Sequence, residues 1–154
     1  MVETSTGKDS PAAARGRAYR RILVGFDGSK EAQEALRAAL ALGEEVEGNV
    51  RALLVVRPPA HVETPEELAT AAAAERDNLS QGLSQALQPG QEDKLDIRVV
   101  FADDPAEALA GHAERHGFDL VVVGMHGREH TVHRGIGHSL EALLQRHPCP
   151  VLVV

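Results

Sequence analysis

Ile22-Leu23-Val24-Gly25-Phe26-Asp27-Gly28-Ser29 is the stretch that decides the fold, together with Ala32, Ala35, Leu36, Ala39 and Leu40 after it. The first five residues are a short apolar run, the length of a strand buried on both faces. Asp27-Gly28 breaks the run, and Ser29 is a good N-cap. The five apolar residues that follow recur at helical spacing and give the helix one buried face. A strand leads directly into a helix, with a polar turn between them.

The same unit recurs along the chain. Gly43 and Gly48 bracket the end of the first helix, and Ala52-Leu53-Leu54-Val55-Val56 is a second apolar run stopped by Pro58-Pro59. Thr64-Pro65-Glu66-Glu67 carries three start signals: a capping Thr, Pro at the first helical position and Glu67 to complete a capping box. Leu68, Ala72, Leu79, Leu83 and Leu87 supply the apolar face of that helix, and Pro89-Gly90 ends it. Leu95, Ile97, Val99 and Phe101 alternate with Asp96, Arg98 and Val100, a strand with one more exposed face. Asp104-Pro105-Ala106-Glu107 starts a third helix and Gly117 closes it. Leu120–Val123 is a fourth strand, Ser139–Arg146 a short helix and Val151–Val154 a fifth strand. Strict alternation predicts an α/β domain: a parallel sheet with helices on both faces, in the Rossmann-like manner.

The 154 residues suit one domain, with a core large enough to need no disulfide. Aromatics make up 3% of the chain, so the core must be aliphatic. Residues 1–19 are rich in Ser, Thr, Gly, Ala and Pro without periodicity; they read as a disordered N-terminal tail ahead of a single domain over 20–154. The net charge is −7. Residues 1–21 carry five basic and two acidic side chains, so the body is more acidic than the whole. That balance argues against nucleic acid as a partner. No apolar run is long enough to cross a bilayer, no apolar secretory segment opens the chain, and Cys149 is the single cysteine. The expectation is a cytoplasmic protein without membrane contact.

In open parallel sheets, ligands bind beyond the carboxyl ends of the strands, where the strand order switches. Two loops there attract attention. Asp27-Gly28-Ser29 follows the first strand; its carboxylate suits a ribose or a metal-bound phosphate, and its residue types equally suit a tight turn. Gly124-Met125-His126-Gly127 follows the fourth strand and leads to Gly135-Ile136-Gly137-His138-Ser139. Glycines let the backbone approach phosphate closely, and the helix opening near Ser139 presents free N–H groups. No Lys follows the glycines, so this is not a Walker A loop, and its spacing is not the dinucleotide fingerprint. His126, His130, His133 and His138 crowd this loop, but their spacing matches no defined zinc motif. His112 and His116 stand at i, i+4 on the third helix and read as a solvent-facing pair.

With these residues in place, the chain resembles the universal stress protein family. Gly124, Gly127 and Gly137 match its nucleotide signature: Gly, two residues, Gly, nine residues, Gly, then Ser or Thr. The opening 22–29, the Asp104-Pro105-Ala106-Glu107 helix start and the Pro148-Cys149-Pro150-Val151-Leu152-Val153-Val154 ending are similar to the family's, so the likeness spans about residues 20–154. The resemblance implies a five-stranded sheet of order 3-2-1-4-5. It also implies ATP binding (or ADP or AMP), with Mg²⁺ as a possible companion, and a regulatory or stress-response role. It would place Asp27 near the ribose and adenine, with Gly28 and Ser29 in the same turn, and Val55 against the base. Gly124, Met125, His126 and Gly127 would line the ribose and phosphates, and Gly137, His138 and Ser139 would hold the phosphates. The sequence departs from the pattern at His138, where Ser or Thr is usual, and at Asp103, where Gly is common. Two other readings stay open: a weak ATPase, although no general base stands ready to activate water, and a dimeric interaction module with a degraded nucleotide site. The wholly apolar, terminal Val151–Val154 predicts a homodimer, because an uncharged edge strand needs cover; the resemblance implies the same.

Overall fold

The computed structural model describes residues 19–125, 138–146 and 148–154. Five strands, β1 (Arg21–Gly25), β2 (Asn49–Val56), β3 (Leu95–Phe101), β4 (Leu120–Val123) and β5 (Val151–Val153), form one sheet. Four helices, α1 (Lys30–Val46), α2 (Pro65–Ala86), α3 (Pro105–His116) and α4 (His138–Arg146), connect them, with a 3-10 turn at Glu92–Lys94 before β3. All pairings are parallel and the order is β3-β2-β1-β4-β5, as expected. Val24 pairs with Ala52 on one side and with Val122 on the other, so β1 is the centre of the sheet. The chain winds out through β2 to β3, then crosses back past β1 to β4 and β5. Right-handed crossovers therefore put α1 and α2 on one face and α3 and α4 on the other.

Each face buries its own aliphatic layer. Ile22, Val24, Ala52 and Leu54 meet Ala35, Leu36 and Ala39 of α1 and Leu79 and Leu83 of α2. Leu23, Leu53 and Val121 meet Leu109, Ala110 and Ala113 of α3 and Leu140 and Leu143 of α4. Alternate residues of one strand thus serve opposite layers, which is why the central strands read as unbroken apolar runs. Leu53 is fully buried, and truncating such a side chain to Ala typically costs about 2–5 kcal/mol.

The helix starts follow the chemistry of their first residues. The Ser29 hydroxyl accepts the Ala32 N–H at 3.1 Å. Thr64 and Glu67 form a reciprocal capping box, and Asp104 accepts the N–H groups of Ala106 and Glu107 at 2.9 and 3.2 Å. α1 ends between Gly43 and Gly48, as expected, and Glu47 takes the left-handed cap conformation, at φ 54°. Its N–H bonds the Gly43 carbonyl, which repays part of the strain of a non-glycine residue there.

α2 departs from the apolar face expected of it. Leu79, Leu83 and Ala86 are buried, but Leu68 is 39% exposed. The reason is length. A helix of 22 residues is about 33 Å long, whereas the seven residues of β3 beside it span about 23 Å. The first turns of α2 therefore overhang the sheet.

His112 also departs from expectation. It is not solvent-facing but 6% exposed, although His116 is exposed. His112 stands three residues after buried Leu109, so it shares the sheet-facing side of α3. The guanidinium of Arg51 lies 3.1 Å from its Nε2, and its ring stacks on Phe118 at 5.8 Å. Arg21, Arg51 and Asp96 sit near the amino ends of their strands and Arg98 in the middle of β3, all on the residues that alternate toward the α3 side. Arg51 Nε donates to Asp96 at 2.7 Å, and Arg98 bridges the same carboxylate at 3.3 Å.

Among the described residues, no helix is long and apolar enough to cross a membrane.

Candidate functional site

The carboxyl ends of β1 and β4 are neighbours in the sheet, and the chain leaves them in opposite directions. This is the switch point, and both loops singled out from sequence begin there. After Gly25, the backbone of Phe26 still bonds the Leu53 carbonyl at 3.0 Å, so the sheet extends to the edge of the turn. The Asp27 Oδ1 then accepts the Ser29 N–H at 2.9 Å and closes a tight turn. Gly28 within it has φ +83°, a conformation that L side chains rarely adopt, and a Cβ there would lie 2.8 Å from Leu79 of α2. The turn is therefore fixed from both sides: by its own carboxylate, and by α2 pressed against it. Gln33 adds a donor to the Gly28 carbonyl at 3.4 Å.

The second loop begins at half-buried Gly124 and exposed Met125. A Cβ on Gly124 would lie 2.7 Å from Cβ and 2.8 Å from the carbonyl carbon of Glu31. The first turn of α1 thus rests directly on the Gly124 backbone, and only a residue without a side chain permits that approach. Glu31 was not singled out from the sequence. Its contact joins elements distant along the chain, and no local pattern reveals it. The far side of the same loop is tied to the C-terminus: Met125 N–H donates to the Val154 carbonyl, and Val154 N–H to the Val123 carbonyl, both at 2.9 Å.

Of the residues chosen from sequence, the structure brings together Asp27, Gly28 and Ser29 with Gly124 and Met125, through α1. Val55 lies near the carboxyl end of β2, paired with Val100 and half-buried with the α3–α4 layer. His138 and Ser139 occupy the first turn of α4, so that helix opens at His138, one residue earlier than expected. His126, Gly127 and Gly137 lie outside the described residues, as do His130 and His133. Among the described residues, no group of three His, Cys, Asp or Glu side chains converges as a metal site. Two shallow surface hollows of about 270 and 260 Å³ lie elsewhere. One is between the end of α1 and the start of β2, the other between α2 and β3.

What this arrangement offers is close backbone approach: the first turn of α1 rests on Gly124, and the Asp27 turn that leads into it is closed by its own carboxylate. Such a surface suits a ligand recognised through oxygen atoms and closely approached by backbone.

The universal stress protein family model matches residues 18–154, nearly the whole chain. Universal stress protein MJ0531 of Methanocaldococcus jannaschii is 27% identical over 139 residues, covering 88% of this chain and 82% of that protein. Universal stress protein UspA from Lactobacillus plantarum superposes with a TM-score of 0.70 at 27% identity, covering 89% of this chain and 98% of its own. A universal stress protein solved in complex with cAMP superposes at 0.67 with 20% identity, covering 89% and 97%. With a family model matched over nearly its whole length, the chain belongs to the universal stress protein family.

Proposed function

We propose that this protein binds an adenine nucleotide, ATP in the first place, at the switch point between β1 and β4, and that binding serves a regulatory or stress-response role. The observation that carries the reading is the seating of α1 on Gly124, which joins the Asp27 turn and the start of the glycine loop into one surface. That a related fold was solved with cAMP supports the ligand class. In this reading Asp27, Gly28 and Ser29 face the ribose and adenine, and Val55 the base. Gly124, Met125, His126 and Gly127 follow the ribose and phosphates, and Gly137, His138 and Ser139 receive the phosphates. The first turn of α4 brings its N–H groups and positive dipole end to an anion there. That is why His138 in the place of Ser or Thr is compatible with binding: most of the phosphate contacts would come from backbone. Mg²⁺, where present, would neutralise phosphate charge near Asp27.

The proposal includes a homodimer through β5. That strand is an edge of the sheet, three residues long, and Leu152 is 40% exposed. A second copy would cover this apolar edge. The single cysteine, half-buried Cys149, whose thiol is pushed up by burial, suits a reducing cytoplasm.

The test is calorimetric titration of the purified protein with ATP and Mg²⁺, with AMP and cAMP in parallel. One saturable site per chain is expected, and substitution of Gly127 by a bulky residue should abolish it. Unchanged affinity in that variant overturns the site. Absence of any saturable nucleotide binding favours the dimeric interaction module instead, for which the departure at His138 is the sequence evidence.

A further inference from the structure

The amino end of the sheet carries a second constellation, on the opposite side of the molecule from the proposed nucleotide site. His112 is buried in the last turns of α3 with its ring between Phe118 at 5.8 Å and the His116 ring at 4.3 Å. Arg51 on β2 is placed to donate to Nε2 at 3.1 Å. A guanidinium has no acceptor, so Nε2 must be the bare nitrogen of a neutral imidazole. Arg51 is itself held by Asp96 at 2.7 Å and lies over the Phe118 ring at 5.2 Å, with Arg21 of β1 over the same ring at 5.1 Å. It has no freedom to withdraw without breaking the Asp96 pair.

The charges around His112 are almost all of one sign. β2 supplies Arg51, β3 supplies Arg98, and α3 itself supplies Arg115 and His116. The one carboxylate in this group is Asp96 of β3, already shared between Arg51 and Arg98. Of the carboxylates on α3, Glu107 in the first turn and Glu114 in the last are both turned to Arg146 of α4. Among the described residues, no carboxylate is hydrogen-bonded to the His112 ring or offsets the positive charges around it.

We propose that His112 is an acid-sensitive latch: protonation of Nε2 sets an N–H against the Arg51 guanidinium and unseats the last turns of α3 from the sheet. Burial first, and then the charges of His116, Arg51, Arg115 and Arg98, push the pKa of His112 down to about 4. The sign follows from linkage. Above the ordinary histidine value both the seated and the released states are neutral, and the latch is intact. As pH falls below that value the released state takes the proton first, so seating weakens until pH passes the folded value near 4. The readout is local opening of α3, which should rise about 30-fold between about pH 8 and about pH 5, from the ordinary histidine value of ~6.5 and the folded value.

The experiment is a pH titration of the full-length wild-type protein by NMR. The His112 ring is followed directly, together with amide exchange along Leu109–His116 corrected for intrinsic rates. A His112 ring titrating near 4, with exchange in α3 rising as pH falls from about 6.5 and levelling off near 4, is the expected result. A ring titrating at the ordinary value or above overturns the proposal. So does a low value with exchange that does not respond to pH. His112→Gln keeps an acceptor for Arg51 and cannot be protonated, so its α3 exchange should lose the pH dependence. If the wild type unfolds globally before the ring titrates, acid midpoints decide. A lower midpoint in His112→Gln supports the latch, and an identical one refutes it.

Discussion

The two ends of the sheet are built on different principles. At the carboxyl end, the loops after β1 and β4 meet through main chain: Gly124 lies under Glu31, and Gly28 is held at positive φ beneath Leu79. At the amino end β2 and β3 are tied to α3 by side chains: Arg51 joins Asp96 to His112 and Phe118, which stack on each other. One end withholds side chains and leaves backbone to be approached. The other spends its longest polar side chains on one another. A fold can thus reserve one end for a ligand while the other end fixes the register of helix on sheet, and substitutions should act on the two ends by different mechanisms.

The sharpest way to break the comparison is Gly124→Val. A branched side chain at a position where even a Cβ would meet Glu31 backbone at 2.8 Å must push α1 off β4. The expected cost is about 3 kcal/mol, the upper part of the usual range for overpacking, together with loss of nucleotide binding. Urea unfolding and calorimetry would measure both. If Gly124→Val kept full stability, the carboxyl end would not be the close-approach surface described here.

At the amino end the corresponding change is Arg51→Met. It keeps the aliphatic stem over Phe118 but removes the guanidinium from Asp96 and His112. The loss should be about 2 kcal/mol, mostly from the buried His112 acceptor, since Asp96 is partly exposed and its ion pair is screened. The carboxyl of Asp96, raised by burial but held below its ordinary range overall by Arg51, should rise. The His112 pKa should rise as well, but only part of the way, because burial is the larger cause of its shift. Stability should then fall less steeply between about pH 6.5 and pH 4 than in the wild type. NMR titration of both groups checks the direction.

How far the sequence carries depends on whether the cause is local. The strands were legible because Leu23 and Val24, or Leu53 and Leu54, serve opposite layers and so leave no polar gap. The helix starts were legible because Ser29, Thr64 and Asp104 act on N–H groups two or three residues ahead. The loops of the candidate site were found from their glycines, but the reason for Gly124 was not. Its partner, Glu31, is brought to it by the sheet order alone. His112 was misplaced for the same kind of reason. Histidines at i, i+4 look alike on a wet or a dry face, and only the packing of β2 against α3 tells them apart. The overhang of α2 depends on the length of β3, which nothing within the helix's own residues encodes.

Gly28→Ala sharpens the carboxyl end at a smaller scale. The left-handed conformation costs an L-residue about 1–2 kcal/mol, and the new methyl meets the flexible tip of Leu79 rather than backbone. Thermal unfolding should therefore show a loss of that size, less than for Gly124→Val. The turn should persist, because the Asp27 carboxylate still accepts the Ser29 N–H.

The smallest effect separates the ends from each other along one helix. α3 begins at the carboxyl end of the sheet, capped by Asp104, and finishes at the amino end, with His112 under Arg51. Asp104→Ala removes two hydrogen bonds, to Ala106 and Glu107, in a partly exposed turn. It should cost about 1 kcal/mol. If the two ends are held independently, the loss should appear as faster amide exchange in the first turn of α3 only, and the titration of His112 should not move. If the His112 pKa shifts with the cap, the helix transmits strain as one rigid body. The carboxyl end, where the nucleotide is proposed to sit, would then be mechanically coupled to the acid-sensitive end through α3.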